Sequence, residues 1–403
     1  MTSELNTPHN CPLTRSPESL FTNSIPELTL IHAMWIIVYC CVFVLALALS
    51  LVLTPVARRI AGRAGMLDQP GGRKPHQRPI PLFGGAAIFS AVSIALLINA
   101  ALVFLAFRCA ACASLIPPSL AVHLGGARSL FPKLAVIMIG GFTIFCIGLW
   151  DDVADLKPRV KLLGQLLVAI SLVCLDIRAT LFVPSYFFSA AVTIAWIVLI
   201  TNAFNLLDNM DGLCAGVALV ASAVFLGIST ARGQYFISIM LLVFAGSLLG
   251  FLRYNFHSAT IFMGDAGSMF IGYYIAVMTI VQTYYSPAEG GPLAVLMPLV
   301  ILAVPLYDTL SVIAIRISRG ESIFTADRRH FSHRLVTLGM SQRGAVCFIY
   351  LVTLATGLSA MLLPRVGWSG GMIVFAQTIL IVSVIAILEY FGRGKPFNNK
   401  QNH

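Results

Sequence analysis

The chain has 403 residues, 58% of them hydrophobic and only 10% charged, against the roughly 25% charged residues of an ordinary soluble domain. The 26 basic and 16 acidic residues cannot coat a water-facing globule of this length, but they suffice where most of the surface faces lipid. A soluble enzyme of the usual kind is excluded, and the net charge of +10 has to be judged by where the cations fall, because an excess of Lys and Arg in a membrane protein marks its inner loops.

The first 30 residues are polar, carry Pro8, Pro12, Pro17 and Pro26, and lack the basic start and apolar core of a cleaved signal. They are expected to form a flexible tail. Apolar runs of about 20 residues, the length a helix needs to cross a bilayer, then follow at 31–53, 82–107, 132–149, 162–177, 183–204, 212–231, 234–252, 266–286, 291–315, 344–364 and 368–391. The predicted fold is all-α and polytopic, about 11 transmembrane helices in a single domain over 31–391, with a short tail at 392–403. The run at 162–177 is short and bounded by Lys161 and Asp176. No internal repeat is visible, so an inverted-repeat transporter gains no support.

Most of the nine cysteines, including Cys40, Cys41, Cys146, Cys174 and Cys214, lie in apolar runs and read as small core residues rather than a disulfide framework. Cys109 and Cys112 form the one C-x-x-C, which is too little for a zinc site and compatible with a local disulfide or with no role.

Eleven spans place the termini on opposite sides. With the N-terminus outside and the C-terminus cytoplasmic, the loops 54–81, 150–161, 205–212, 253–266 and 316–343 and the C-terminal tail are inner, and 19 of the 26 cations fall there. This distribution absorbs the +10 without a nucleic-acid partner. Eight of the ten aspartates share that side. Of the other two, Asp308 lies within the ninth run, where an intramembrane acid is a functional-site candidate by default.

Five inner segments carry clustered polar residues. The first, Asp68-Gln69-Pro70-Gly71-Gly72-Arg73-Lys74-Pro75-His76-Gln77-Arg78, leads to Gly84-Gly85 and reads as a phosphate-binding approach to the second helix. In the second, Asp151-Asp152-Val153-Ala154-Asp155 is followed by Lys157, Arg159 and Lys161. Most such runs are solvated loops, but here the Asp pair abuts an apolar helix, where unpaired carboxylates are costly without cations or a metal. Adjacent helical residues point about 100° apart, so one of the two is expected to face the site directly.

The third segment is a ladder, Asn202-x-x-Asn205-x-x-Asp208-x-x-Asp211-Gly212. Each step of three turns about 60° around a helix, so the helix is expected to break near 208–212. Amide and carboxylate oxygens at this spacing suit Mg²⁺, or Mn²⁺, which take one or two protein ligands and complete their shell with water and phosphate oxygens. Capping and turn formation would explain Asp211-Gly212 alone. The fourth, Phe262-x-Gly264-Asp265-x-Gly267-Ser268, opens the eighth span, where an Asp is often only a cap. The fifth, Asp327-Arg328-Arg329-His330-Phe331-Ser332-His333-Arg334, suits a diphosphate and its sugar better than a metal, which the arginines would repel.

Carboxylates, amides and cations gathered on one membrane face point to a Mg²⁺-dependent reaction between a phosphorylated water-soluble donor and a phosphorylated lipid. No P-loop motif is present. Two separated Asp-rich repeats, as a prenyl-transferring enzyme would need, are not seen, and Asp211-Gly212 continues as Leu213-Cys214, unlike a CDP-alcohol phosphotransferase.

The five motifs, in this order over about 55–340, resemble the polyprenyl-phosphate N-acetylhexosamine-1-phosphate transferase family. The resemblance implies a multi-pass enzyme of the bacterial cytoplasmic membrane with its site facing the cytoplasm. Such an enzyme transfers sugar 1-phosphate from a UDP-N-acetylhexosamine to a polyprenyl phosphate of undecaprenyl type, and so initiates cell-envelope polysaccharide synthesis, as a monomer or a homodimer in the bilayer. Carried over, it makes Asn205 and Asp265 the Mg²⁺ ligands and sets Asp208 and Asp211 at the nucleotide side. Asp151, Asp152 and Lys161 then face the lipid phosphate, and His330 and His333 the diphosphate and sugar. Lys74, His76, Arg78, Asn202, Phe262, Arg328, Arg329 and Arg334 are the further substrate-binding candidates. Asp151 is the family's proposed base, yet a phosphate monoester with its second pKa near 6 is already mostly dianionic at neutral pH.

Three positions depart from the family pattern: His330-Phe331-Ser332-His333 stands for His-x-His-His, Ser258-Ala259 for Pro-Ala, and Asn209 for a Gly. The first and third bear on the donor. The likeness is nearer to the branch using UDP-N-acetylglucosamine than to the branch transferring phospho-N-acetylmuramoyl-pentapeptide, which carries a triple-His loop. A transporter or lipid-binding protein is the alternative outside enzymes.

Overall fold

The computed structural model describes residues 24–70, 78–179, 182–285, 291–322 and 330–392, with side chains from 33 onward except at 119, 292 and 390–392. Among them the chain is a bundle of helices with one two-residue β pairing. In chain order these are α1 (Ser24–Ala64), β1 (Leu67–Asp68), β2 (Ile80–Pro81), α2 (Gly84–Arg108), α3 (Ala110–Ser114), α4 (Pro118–Ser129), α5 (Phe131–Ala154), α6 (Pro158–Cys174), α7 (Tyr186–Leu207), α8 (Leu213–Ala231), α9 (Tyr235–Asn255), α10 (Gly264–Val281), α11 (Met297–Ile301), α12 (Ala303–Ser318), α13 (Phe331–Thr337), α14 (Gln342–Ala360) and α15 (Trp368–Gly392).

Nine of these helices are long and apolar enough to cross a membrane, and a tenth span results if the segments Leu293–Ile301 and Ala303–Ser318, bent by 67°, count as one. This is an all-α, polytopic membrane protein. The count falls below eleven for physical reasons. α6 has only 17 residues between Pro158 and Cys174, and the ninth run breaks after Ile301 in a stretch holding Pro292, Pro298 and Pro305, where missing N–H donors interrupt the ladder.

Two boundaries also move. α1 begins at Ser24, so the last part of the supposed tail is helical, and Pro26 sits in the first turn, where its lost N–H has no intrahelical partner anyway. The same helix runs through Pro55 to Ala64; the first inner connection is therefore shorter than 54–81.

α10 is the central helix: 89% of its span is buried, against 17% for α1. Its residues mesh with a different neighbour at almost every turn. The Tyr273 hydroxyl donates to the Ile137 carbonyl of α5 at 2.9 Å, and that of Tyr274 to Met240 of α9 at 3.0 Å. Tyr274 also stacks on Phe244, with centroids 4.4 Å apart. A Cβ on Gly272 would lie 2.7 Å from the Cα of Thr201 on α7. Close helix approach through small residues is the packing mode that membranes favour, since lipid supplies no hydrophobic drive between helices.

The ends of α1, α2, α9 and α10 are sewn together. Leu82 N–H donates to Met66, Phe262 N–H to Pro81, Gly84 N–H to Phe262 and Gly85 N–H to Met263, at 2.8 to 3.0 Å. At this end α5 also touches α10, because a Cβ on Gly148 would lie 2.6 Å from the Ala266 backbone. Gly148→Leu is expected to destabilise the bundle by roughly 1–3 kcal/mol or more through overpacking, seen as a lower Tm in detergent. Gly62→Ala, with nothing within 4 Å of the added carbon, should leave Tm unchanged or slightly raised.

Candidate active site

The site is built where α5 ends and α6 begins. Asp155 closes α5 in the left-handed region, at φ 48°, and Pro158 starts α6 with its fixed φ. The tight reversal brings Lys161 back over α5. Its Nζ donates to Asp151 Oδ2 at 2.6 Å and to Asp265 Oδ2 of α10 at 3.0 Å. Asp151 Oδ1 accepts the Leu156 N–H at 2.8 Å, so both Asp151 oxygens are engaged.

Asp152 points elsewhere, as the 100° step between neighbours requires. Its Oδ1 accepts the Asp265 N–H at 2.7 Å and its Oδ2 the Ala266 N–H at 3.1 Å. It therefore caps α10 from another helix, satisfying two orphan donors and placing negative charge at the positive end of the helix dipole. Gly264 permits this: its φ is +71°, and a Cβ there would lie 2.5 Å from Asp152 Oδ2. The Asn205 amide completes the cluster by donating to Asp265 Oδ1 at 3.0 Å and to Ser268 Oγ at 2.9 Å.

The ladder on α7 does not act as one face. Asn202 bonds the Val198 carbonyl and Gln165 of α6, inside the helix packing. Asn205 reaches the cluster. Asp208 lies just past the last helical residue, and among the described residues its carboxylate accepts no hydrogen bond. Burial, reinforced by Asp265, Asp152 and Asp211, pushes it well above the ordinary carboxylate range. Asp211 faces the α9–α10 loop, where its Oδ2 accepts the Ala259 N–H at 3.0 Å and lies 3.1 Å from His257 Nδ1. Gly212 turns the chain at φ +75°, and its N–H donates to Asn255 Oδ1 at 3.0 Å.

The histidine segment is anchored by Asp308. The Asp308 carboxylate lies 3.0 Å from His330 Nδ1 and accepts the Phe331 N–H at 2.6 Å, which orients the imidazole and starts α13. Ser332 Oγ donates to Asn209 Oδ1. His333 sits one residue on, part-buried in the same helix. Arg334 is drawn away into a buried group: its Nε lies 3.0 Å from Glu389 Oε2, an NH₂ nitrogen donates to Ser311 at 2.8 Å, and Tyr307 O–H donates to Glu389 at 2.8 Å.

Of the residues singled out from the sequence, Asp151, Asp152, Lys161, Asn205 and Asp265 thus form one contact network, with Asp208 and Asp211 beside it. Phe262 holds the strand contacts at its edge, and Arg78 is exposed just before β2. Asn202 and Arg334 are placed in helix packing instead. Lys74, His76, Arg328 and Arg329 lie outside the described residues. Gln165 and Glu389 were not anticipated, and Ser268 stood in the fourth motif without a role. Glu389 had a legible signal, being an acid in an apolar run.

Among the described residues no three His, Cys, Asp or Glu side chains converge at metal-binding spacing. The donor set still fits a divalent cation that takes few protein ligands, because among the described residues the Asp208 carboxylate is unpartnered and Lys161 is the one cation bonded to Asp151 and Asp265.

Residues 134–283 match the sequence model described as Glycosyl transferase family 4. The Bacillus subtilis (strain 168) protein named "Probable undecaprenyl-phosphate N-acetylglucosaminyl 1-phosphate transferase" is 34% identical over 370 residues, 88% of this chain and 94% of that protein. The chain belongs to glycosyl transferase family 4. The family members that it resembles also include "Decaprenyl-phosphate N-acetylglucosaminephosphotransferase" of Mycobacterium tuberculosis (strain ATCC 25618 / H37Rv), 31% identical over 85% of this chain and 87% of that one. A third is "Undecaprenyl-phosphate alpha-N-acetylglucosaminyl 1-phosphate transferase" of Yersinia pestis, 27% identical over 83% and 86%.

The burial of Arg334 and Glu389 separates a packing role from a substrate role in this member of the family. Glu389→Ala or Arg334→Ala should each cost about 3–5 kcal/mol by leaving the partner charge buried. The double change Arg334→Met with Glu389→Leu should recover most of that loss in a thermal unfolding series.

Proposed function

We propose that this protein transfers N-acetylglucosamine 1-phosphate from UDP-N-acetylglucosamine to a polyprenyl phosphate of undecaprenyl type, with Mg²⁺ as cofactor, at the cytoplasmic face of a bacterial membrane. The names of the family relatives support the sugar phosphate and the acceptor class. The observation that carries the reading is the Lys161 ammonium shared by Asp151 and Asp265, next to an unpartnered Asp208, at one end of a lipid-facing bundle. The excess of Lys and Arg on the loops at that end supports the cytoplasmic orientation.

In the reaction an oxygen of the lipid phosphate attacks the β-phosphorus of the donor. The bond from that phosphorus to the bridging oxygen breaks, and UMP leaves with the electron pair. The acceptor is mostly dianionic at neutral pH, and both Asp151 oxygens already accept hydrogen bonds. Asp151 therefore serves to hold Lys161 rather than to remove a proton. Lys161 positions the phosphate and offsets its charge. His330 is oriented by Asp308 in the segment assigned to the diphosphate and sugar. Asp265, Asp208 and the amide oxygen of Asn205 would hold Mg²⁺, which neutralises charge developing on the diphosphate.

The deciding assay supplies purified protein with polyprenyl phosphate, Mg²⁺ and UDP-N-acetylglucosamine. UMP release is expected, with Asp265→Ala lowering it by about 10²-fold or more and EDTA abolishing it. Release from UDP-N-acetylmuramoyl-pentapeptide alone would reverse the donor assignment, and no UMP from any UDP-sugar would favour a transporter.

A second expectation concerns pH. Protons and Mg²⁺ compete for Asp208, whose raised pKa keeps it protonated further up the pH scale. The Mg²⁺ concentration for half-maximal rate should therefore rise as pH falls through that raised value, and Asp208→Asn should flatten the dependence.

A further inference from the structure

The turn between α7 and α8, which carries Asp208 and Asp211, is gripped from several elements at once. Asn209 is met by Ser332 of α13 and Asp211 by the Ala259 N–H of the α9–α10 loop. The Gly212 N–H donates to Asn255 of α9, whose own amide donates to the Ile261 carbonyl at 2.9 Å. A further contact comes from α14: the Tyr350 hydroxyl donates to the Gly212 carbonyl at 2.5 Å. That carbonyl also accepts the Gly216 N–H at 2.9 Å in the first turn of α8, so both of its lone pairs are used.

The phenol reaches the turn because glycine leaves it room. A Cβ on Gly216 would overlap the Tyr350 ring and hydroxyl, and two turns further along α14 a Cβ on Gly357 would lie 2.7 Å from Val224 of α8. The two helices therefore meet at glycine distance, and Tyr350 is seated against the start of α8. Gly212 itself holds φ +75°, and with its N–H on Asn255 and its C=O on Tyr350 the direction in which the chain leaves the turn is fixed from two other helices. Asp208 lies four residues earlier. Among the described residues its carboxylate accepts no hydrogen bond, so its direction follows from the backbone of the turn and not from a bond of its own.

We propose that Tyr350 is a positioning residue: through the Gly212 carbonyl it holds the 208–212 turn so that the Asp208 carboxylate is preset for a divalent cation. The proposal rests on the reading of Asp208 as a cation ligand given above. A preset site loses less of its binding free energy to ordering the chain. Without the hydroxyl, that ordering cost falls on the affinity for the cation.

The test compares Y350F, which removes the hydroxyl and keeps the ring between α8 and α14, with T353V, which removes a hydroxyl that donates within α14 to the Ile349 carbonyl at 2.8 Å. Two measurements are made on the full chain in detergent. Electron paramagnetic resonance follows the binding of Mn²⁺, in place of Mg²⁺, with UDP-N-acetylglucosamine present and no acceptor, so that no turnover is needed. The second is UMP release against Mg²⁺ concentration once polyprenyl phosphate is added. Y350F should weaken Mn²⁺ binding and raise the Mg²⁺ concentration for half-maximal rate by a similar factor, about three- to tenfold, the size of one lost hydrogen bond. Added Mg²⁺ should restore its rate, and T353V should change neither measurement. A lower melting temperature for Y350F with both cation dependences unchanged would make the hydroxyl a packing contact and overturn the proposal, as would equal weakening by T353V. If the unaltered protein binds Mn²⁺ but releases no UMP, the transferase reading fails, and weaker Mn²⁺ binding by Y350F still sustains the positioning role. No Mn²⁺ binding by the unaltered protein would remove the cation from the turn and overturn the proposal.

Discussion

The Lys161 ammonium lies 2.6 Å from an Asp151 oxygen and 3.0 Å from an Asp265 oxygen, so one positive charge joins the end of α5, the first turn of α6 and the first turn of α10. Each of those helices presents an acid or a base to a region bounded by lipid, where a lone charge is costly. Sharing the charge removes that cost and sets the relative position of three helices in one step. The ammonium side chain is 22% exposed, so the arrangement is open to a phosphate from the aqueous side while Asp151 remains at 6%. A lysine in this position holds the helices together while its ammonium stays reachable from the aqueous side.

The carboxylates around it divide into committed and uncommitted groups, and this division gives the site its chemistry. Asp152 is spent on two backbone N–H groups of α10, Asp151 on Lys161 and a loop N–H, and Asp211 on the α9–α10 loop. Among the described residues of this group, Asp208 is left without a donor. A diphosphate brought into this region meets, among the described residues, several carboxylates and the Lys161 ammonium, a charge balance that a further cation would improve. The Asp208 carboxylate and the single amide oxygen of Asn205, whose nitrogen is spent on Asp265 and Ser268, would be the places left for one among the described residues. Catalysis of phosphoryl transfer depends chiefly on such positioning and charge balance, which accounts for a site made of carboxylates with so little obvious acid–base machinery.

Much of this was legible in the sequence because lipid imposes simple rules. The apolar runs located the helices, and the clustering of charge found the end that bears the site. Asp151-Asp152, Asn205 and Asp265 were recognisable because polar groups at helix ends in an apolar chain demand partners. Partner choice was not legible. That Asp152 caps α10 while Asp151 takes Lys161 depends on Gly264 and Gly148 letting α5 touch α10, a contact between residues more than a hundred positions apart. Likewise the spacing of Arg334 from His330 suggested a common substrate, whereas Glu389 of α15 draws the guanidinium into the packing. Helix ends were blurred for a local reason: prolines early in α1 and at Pro55 do not stop a helix whose apolar face continues past them.

The two departures from the family pattern that bear on the donor meet in space. Ser332 is buried to 1%, and a buried hydroxyl without an acceptor costs about 1–3 kcal/mol. Its acceptor is Asn209 Oδ1, supplied by a residue 123 positions away at which a glycine would offer no side chain. Asn209 in turn is steadied by its own amide, which donates to the Leu206 carbonyl at 2.8 Å. An imidazole is therefore replaced not by a gap but by a hydrogen bond that ties α13 to the turn carrying Asp208 and Asp211. His330 is already held from the other side by Asp308. The histidine segment is thus fixed at two points, and its position relative to the Asp208 turn is set by protein contacts before any donor arrives. Changing Asn209 alone to glycine would take this acceptor from the buried Ser332 hydroxyl.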